Sequence, residues 1–120
     1  MDSKTTIEAL KRQVRKFCEE RDWDQFHGPK DLAVGLITEA AELLEHFRFK
    51  TEDEARAYLK DPKKRKMVED EVADTLFMLI RFAQMYDIDL AKALKRKVAL
   101  NHKKYPVHKA KGSNRKYNEF

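Results

Sequence analysis

From Val72 to Ala83 the chain reads Val-Ala-Asp-Thr-Leu-Phe-Met-Leu-Ile-Arg-Phe-Ala, apolar almost all the way round a helical projection. Such a helix is stable only when other elements cover it on most sides. The remaining long stretches also repeat apolar residues at helical spacing, and Gly and Pro number only three each. The covering elements are therefore helices. A chain of 120 residues closes one core but hardly two. The expectation is an all-α protein, an antiparallel four-helix-type bundle over residues 1–106 followed by a basic tail over residues 107–120. Helices this few and short complete their core through a partner chain, which predicts a homodimer or homotetramer.

Acids are planted inside two of these helical stretches, as Glu39-Ala-Ala-Glu42 and Glu71-Val-Ala-Asp74. A spacing of three puts both carboxylates of a pair on one face, a turn apart, so two packed helices can point four carboxylates into one small volume. The apolar setting of the second pair predicts that Asp74 avoids a broad solvated face. Glu71 and Asp74 share a side with Met67, Met78 and Met85, whereas Val68, Val72, Leu76, Leu79 and Ala83 form the main core face. On the first acidic helix Leu36, Ala40, Leu43, Leu44 and Phe47 make the core stripe. A buried carboxylate needs a partner. Either Lys and Arg supply it, or four oxygen ligands in one place hold a hard divalent cation.

The other boundaries follow from caps and breakers. Thr5 with Glu8 forms a capping box for a first helix whose buried stripe is Ile7, Leu10, Val14, Phe17 and Cys18, ending near Arg21. A loop over residues 22–30 then carries Trp23, Phe26 and His27 and the turn signal Gly28-Pro29. These rings either lid the core or offer a stacking platform for a base. The second helix is expected over Asp31–Phe47; Gly35 on its acidic side either leaves room for a ligand or allows close helix packing. Thr51 with Glu54 starts a short helical insert, and Asp61-Pro62 reads as N-cap and first residue of the next helix, which ends near Tyr86. Asp89 caps the last helix, with Leu90, Leu94 and Val98 as its stripe, and Tyr105-Pro106 stops it. Composition alone makes the tail flexible.

The spacing Glu-x-x-Glu, a gap, then Glu-x-x-Asp resembles the signature of the MazG-like all-α nucleoside triphosphate pyrophosphohydrolases. The likeness continues through Glu20-Arg21-Asp22-Trp23-Asp24-Gln25-Phe26-His27, Lys97-x-x-x-Asn101, Tyr105-Pro106 and Ser113-x-x-Lys116-Tyr117, in the order of the branch that acts on dCTP. That resemblance implies hydrolysis of a (deoxy)nucleoside triphosphate, dCTP or a modified dCTP, to the monophosphate and pyrophosphate, in nucleotide pool clean-up. It implies Mg²⁺, with Mn²⁺ as a substitute, on Glu39, Glu42, Glu71 and Asp74 as the catalytic and metal set. It also implies substrate contacts from Trp23, Asp24, Gln25, Phe26, His27, Phe49, Lys97, Asn101, Lys104, Tyr105 and Lys116, with the tail closing over a neighbouring subunit's site. Phe49 stands where animal dCTP pyrophosphatases carry tryptophan and Met78 where they carry tyrosine. Those two departures leave dUTP, or a modified or oxidised nucleotide, open as the preferred substrate.

Charge and composition bound the rivals. From Asp87 onward ten basic residues face three acids, a local +7 against +5 for the whole chain. This basic end attracts polyanions, either a triphosphate or, in a non-catalytic nucleic-acid-binding module, a phosphate backbone. The second reading gives the inward carboxylates no task, so no nucleic acid partner is expected. A di-iron bundle requires Glu-x-x-His, which neither pair supplies. The lone Cys18 fits a reducing cytoplasm. No run approaches the roughly 20 apolar residues that span a bilayer, and the first residues lack a signal peptide's apolar centre.

Overall fold

A computed structural model describes all of residues 1–120. The chain is all-helical: α1 (Ile7–Glu20), α2 (Pro29–Glu45), α3 (Glu52–Lys60), α4 (Pro62–Met85), α5 (Leu90–Lys104) and α6 (Val107–Ala110), with 3₁₀ turns at Asp24–Phe26 and Tyr117–Glu119. By packing it divides into two compact units, Met1–Asp87 and Ile88–Phe120.

The caps explain most boundaries. Asp61 accepts from the backbone N–H groups of Lys63 and Lys64, with Pro62 at the first turn, and so launches the 24-residue α4. Asp89 does the same for α5 through Lys92 N–H, and Thr51 for α3 through Glu54 N–H. The expected cap of α1 shifts by one residue: Thr6 accepts from Ala9 N–H, and the Thr5 hydroxyl instead accepts from the N-terminal amine. α2 starts at Pro29, two residues before the expected Asp31, because Gly28 serves as N-cap and Pro29 fits a first-turn position.

In the first unit α4 is the central element, packed against α2, α1 and α3, with α2 its most extensive neighbour. The core is Val14 and Cys18 from α1, Leu32 from α2, and Val68, Ile80 and Ala83 from α4. Two expectations are corrected. The fully buried residue of α2 is Leu32, while Leu44 is exposed. On α4, Val68 and Ala83 are buried, but Val72, Leu76 and Leu79 of the same stripe are 50%, 45% and 42% exposed. Only part of the circumference of this apolar helix therefore meets the core of this unit.

Arg81 lies inside that core, with 0% exposure. Its guanidinium donates to Asp24, to Gln84 and, at 2.8 Å, to His27 Nδ1. A buried cation with this many partners is the arrangement that burial of charge requires. It fastens the 22–30 loop onto α4.

In the second unit the tail is folded. Tyr105 meets Tyr117 and Phe120 edge to face, with ring centroids 5.9 Å apart in each pair. Gly112 turns the chain with φ +74°, a backbone conformation that glycine adopts without strain. The flexibility expected from composition gives way to aromatic packing. No helix is long and apolar enough to cross a membrane.

Candidate active site

Packing of α2 on α4 brings the two acidic pairs together. One carboxylate oxygen from each of Glu39, Glu42 and Glu71 lies within 4.8 Å of the others. Glu39 and Glu71 are half-buried, and Glu42 and Asp74 are exposed. The expectation that Asp74 is sheltered is therefore corrected: it sits one turn beyond Glu71, at the open side of the cluster.

Two oxygens of this cluster, Glu39 Oε2 and Glu71 Oε2, are buried without a hydrogen-bond partner. Three arginines of α2 to α4 that could have neutralised them are paired with other acids. Arg48 pairs with Glu45, Arg65 with Glu69, and Arg81 with Asp24. Burial, then the adjoining Glu42 carboxyl, push the Glu39 and Glu71 carboxyls above their ordinary 4.5. Converging hard oxygen donors, two of them orphaned, fit a divalent cation.

His46, at the end of α2, lies with Nε2 3.7 Å from Glu71 Oε1. Its Nδ1 is 2.9 Å from the Tyr58 hydroxyl on α3. His46 is thus tucked between a tyrosine and an acid of the cluster. Tyr58 and Arg81 escaped sequence reading altogether. For Arg81 there was a signal: a lone cation in a twelve-residue apolar run needs a buried acid somewhere.

Beside the cluster opens a cavity of about 530 Å³, within the ~300–1,000 Å³ range of small-molecule sites. Phe17, Trp23, Phe77, Met78 and Val14 form its apolar wall, with Gln13 at the edge, and Glu39 and Asp74 its acidic side. Phe17 meets Trp23 and Phe77 edge to face at 5.6 and 5.7 Å. Phe17 thus serves the cavity wall more than the α1 core stripe.

Residues 37–120 match the model of the MazG-like family. The chain belongs to this family. Relatives of this MazG-like protein include dCTP pyrophosphatase 1 from Homo sapiens, 38% identical over 115 residues, covering 96% of this chain and 68% of that protein. The Bos taurus dCTP pyrophosphatase 1 is 36% identical over 118 residues, covering 98% and 70%. A crystal structure of a pyrophosphatase from Archaeoglobus fulgidus superposes with a TM-score of 0.77 at 39% identity, covering 82% of this chain and 91% of that one.

The remaining sequence-predicted site residues of the MazG-like chain fall into four groups. Trp23 alone of the loop lines the cavity. Asp24 and His27 are held by Arg81, and Tyr86 donates to the His27 carbonyl at 2.7 Å. Because His27 Nδ1 accepts from Arg81, its ring is neutral with the proton on Nε2. Burial, and then the Arg81 charge, lower its pKa accordingly. Gln25 turns back to Asp22, Phe26 is exposed, and Phe49 is 91% exposed beneath the Arg48 guanidinium, away from the cavity lining. Lys97, Asn101, Lys104, Tyr105 and Lys116 belong to the second unit. There Asn101 and Tyr105 line a shallow depression, and the Lys104 ammonium lies 4.9 Å from the Tyr117 ring centroid.

Proposed function

We infer that this nucleotide pyrophosphatase hydrolyses a nucleoside triphosphate, dCTP or a modified dCTP foremost, to the monophosphate and pyrophosphate. One observation carries the reading: a single cavity has aromatic and thioether groups on one wall and Glu39 and Asp74 on the other. A base enters the first part, and the attached phosphates then meet the carboxylate cluster. The names of the mammalian relatives support cytosine as the base.

Glu39, Glu42, Glu71 and Asp74 would hold Mg²⁺, or Mn²⁺ in its place. When bound, such an ion offsets phosphate charge and lowers the pKa of a coordinated water. The chain's own residues do the rest. Trp23 offers a ring face to the base, and Phe17 and Phe77 exclude water from its edges. His46 faces Glu71 Oε1 and leaves Oε2 turned to the cluster. On the same reading Asp24 and His27 act on the substrate by fixing the loop that carries Trp23, with Gln25, Phe26 and Phe49 as outer contacts. Lys97, Asn101, Lys104, Tyr105 and Lys116 supply polar and cationic groups to the triphosphate. The protein self-associates as a homodimer or homotetramer, with the tail over a neighbouring subunit's site, and works on the cytoplasmic nucleotide pool without a nucleic acid or membrane partner.

The test is pyrophosphate release from the eight common ribo- and deoxynucleoside triphosphates and from methylated dCTP, with Mg²⁺ and with chelator. Metal-dependent release led by a cytosine nucleotide is the expected outcome. Release that persists in chelator contradicts the metal assignment, and a purine favourite contradicts the base assignment.

A further inference from the structure

Gly35 occupies a place where glycine is unfavourable. It lies in the interior of α2, one turn before Glu39, where glycine is less favourable than alanine. Its φ is not positive, so the backbone does not demand it. The reason is steric. A β-carbon at Gly35 would stand 2.1 Å from the terminal methyl of Met78, 3.6 Å from its sulfur and 3.9 Å from its Cγ. The end of the Met78 side chain therefore lies in the notch that an alanine methyl would fill.

Met78 projects from α4 one turn beyond Asp74 and lines the cavity that also contains Trp23 and Glu39. Methionine is unbranched, with three rotatable bonds, and re-packs readily. An alanine at position 35 would not break the helix, which it favours; it would displace the terminal methyl of Met78. The open space that Met78 already borders is the cavity. The occupancy of the Gly35 notch and the room left in the cavity are two sides of one rotamer choice.

We propose that Gly35 is a specificity-determining residue, which receives the end of Met78 into the surface of α2 and thereby sets how large a nucleobase the cavity admits. This rests on the cavity being the base site. Gly35 touches no reacting atom and acts only through Met78. The pair forms an adjustable part of the apolar wall that also holds the aromatic rings, in contrast to a rigid one. Larger bases depend on the retracted position more than smaller ones do.

Trp23 is the only tryptophan in the chain and lines the cavity, so its fluorescence reports occupancy. The experiment titrates dCMP and dAMP, with Mg²⁺ present, into the wild type, Gly35→Ala, Met78→Ala and the Gly35→Ala/Met78→Ala double variant. KM and kcat for dCTP and dATP are measured alongside, and helical content by circular dichroism confirms folding. Gly35→Ala should weaken dCMP binding several-fold and raise the preference for dCMP over dAMP about tenfold, with KM moving more than kcat. The double variant, which lacks the terminal methyl of Met78, should recover wild-type dCMP affinity, and Met78→Ala alone should lower the preference for dCMP. A Gly35→Ala protein with wild-type affinities and preference overturns the proposal. So does a loss that persists in the double variant, since the effect then does not pass through Met78. A wild type whose Trp23 signal responds to neither nucleotide, with equal KM values for dCTP and dATP, overturns the base-site reading itself and the proposal with it.

Discussion

Glu39 and Glu71 show what the site demands of a single side chain. Each has one buried oxygen without a partner, and burial with the adjoining Glu42 raises its pKa. The fold on its own favours the neutral form of these carboxyls more than water does. Glu71→Gln should therefore abolish pyrophosphate release while leaving the metal-free protein at least as thermally stable as the wild type. Activity assays paired with melts in chelator check both halves; a variant that keeps turnover removes Glu71 from the metal set. Trp23 makes a different demand, since its ring lines the cavity. Trp23→Ala should raise KM for every accepted nucleotide by roughly tenfold, the ~1–3 kcal/mol per base that aromatic stacking contributes. An unchanged KM would return the ring to a packing role.

At the scale of elements, the Arg81 tie decides where the aromatic loop stands. Asp24→Asn leaves a guanidinium of 0% exposure without its counter-charge, and stranding a buried ion costs about 3–5 kcal/mol. Asp24 is itself half exposed, so the low end is expected, read as a lowered urea midpoint. Asp24→Asn that changes KM without changing stability would instead make Asp24 a direct substrate contact. Helix existence and most caps were legible in the sequence because Asp61, Asp89 and Thr51 act within three residues of themselves. The Thr5 and Thr6 choice was not, since neighbouring threonines offer the same cap. The acidic cluster was legible because spacing three fixes a helical face. Arg81's partners were not: Asp24 is 57 residues away in sequence, and only tertiary packing selects it. Likewise no periodicity tells which arc of α4 the core uses, and the stripe of Val72, Leu76 and Leu79 is exposed.

That exposed arc matters to the whole molecule. On the proposed self-association, the exposed apolar stripe of Val72, Leu76 and Leu79 is the expected contact, and Leu76→Glu should then lower the sedimentation coefficient in analytical ultracentrifugation. An unaltered sedimentation coefficient would put any self-association on another surface. The carboxylate cluster also makes global stability depend on pH. Carboxyls held above 4.5 in the fold favour folding most when protonated, so their contribution is complete below about 4.5 and is lost as pH rises through the raised values. The metal-free protein should accordingly lose melting temperature as pH climbs through that window, and Mg²⁺ or Mn²⁺ should flatten the slope. A slope unaffected by the metal would deny that the ion binds at these acids.

On the proposed function a base-sized aromatic cavity and an acidic metal cluster act on one nucleotide. Phosphorus-31 NMR of dCTP incubated with the protein and Mg²⁺ is the decisive measurement, because the products identify the bond broken. dCMP and pyrophosphate should grow together in equal amounts, and neither should form after chelator is added. Formation of dCDP and inorganic phosphate would contradict that function.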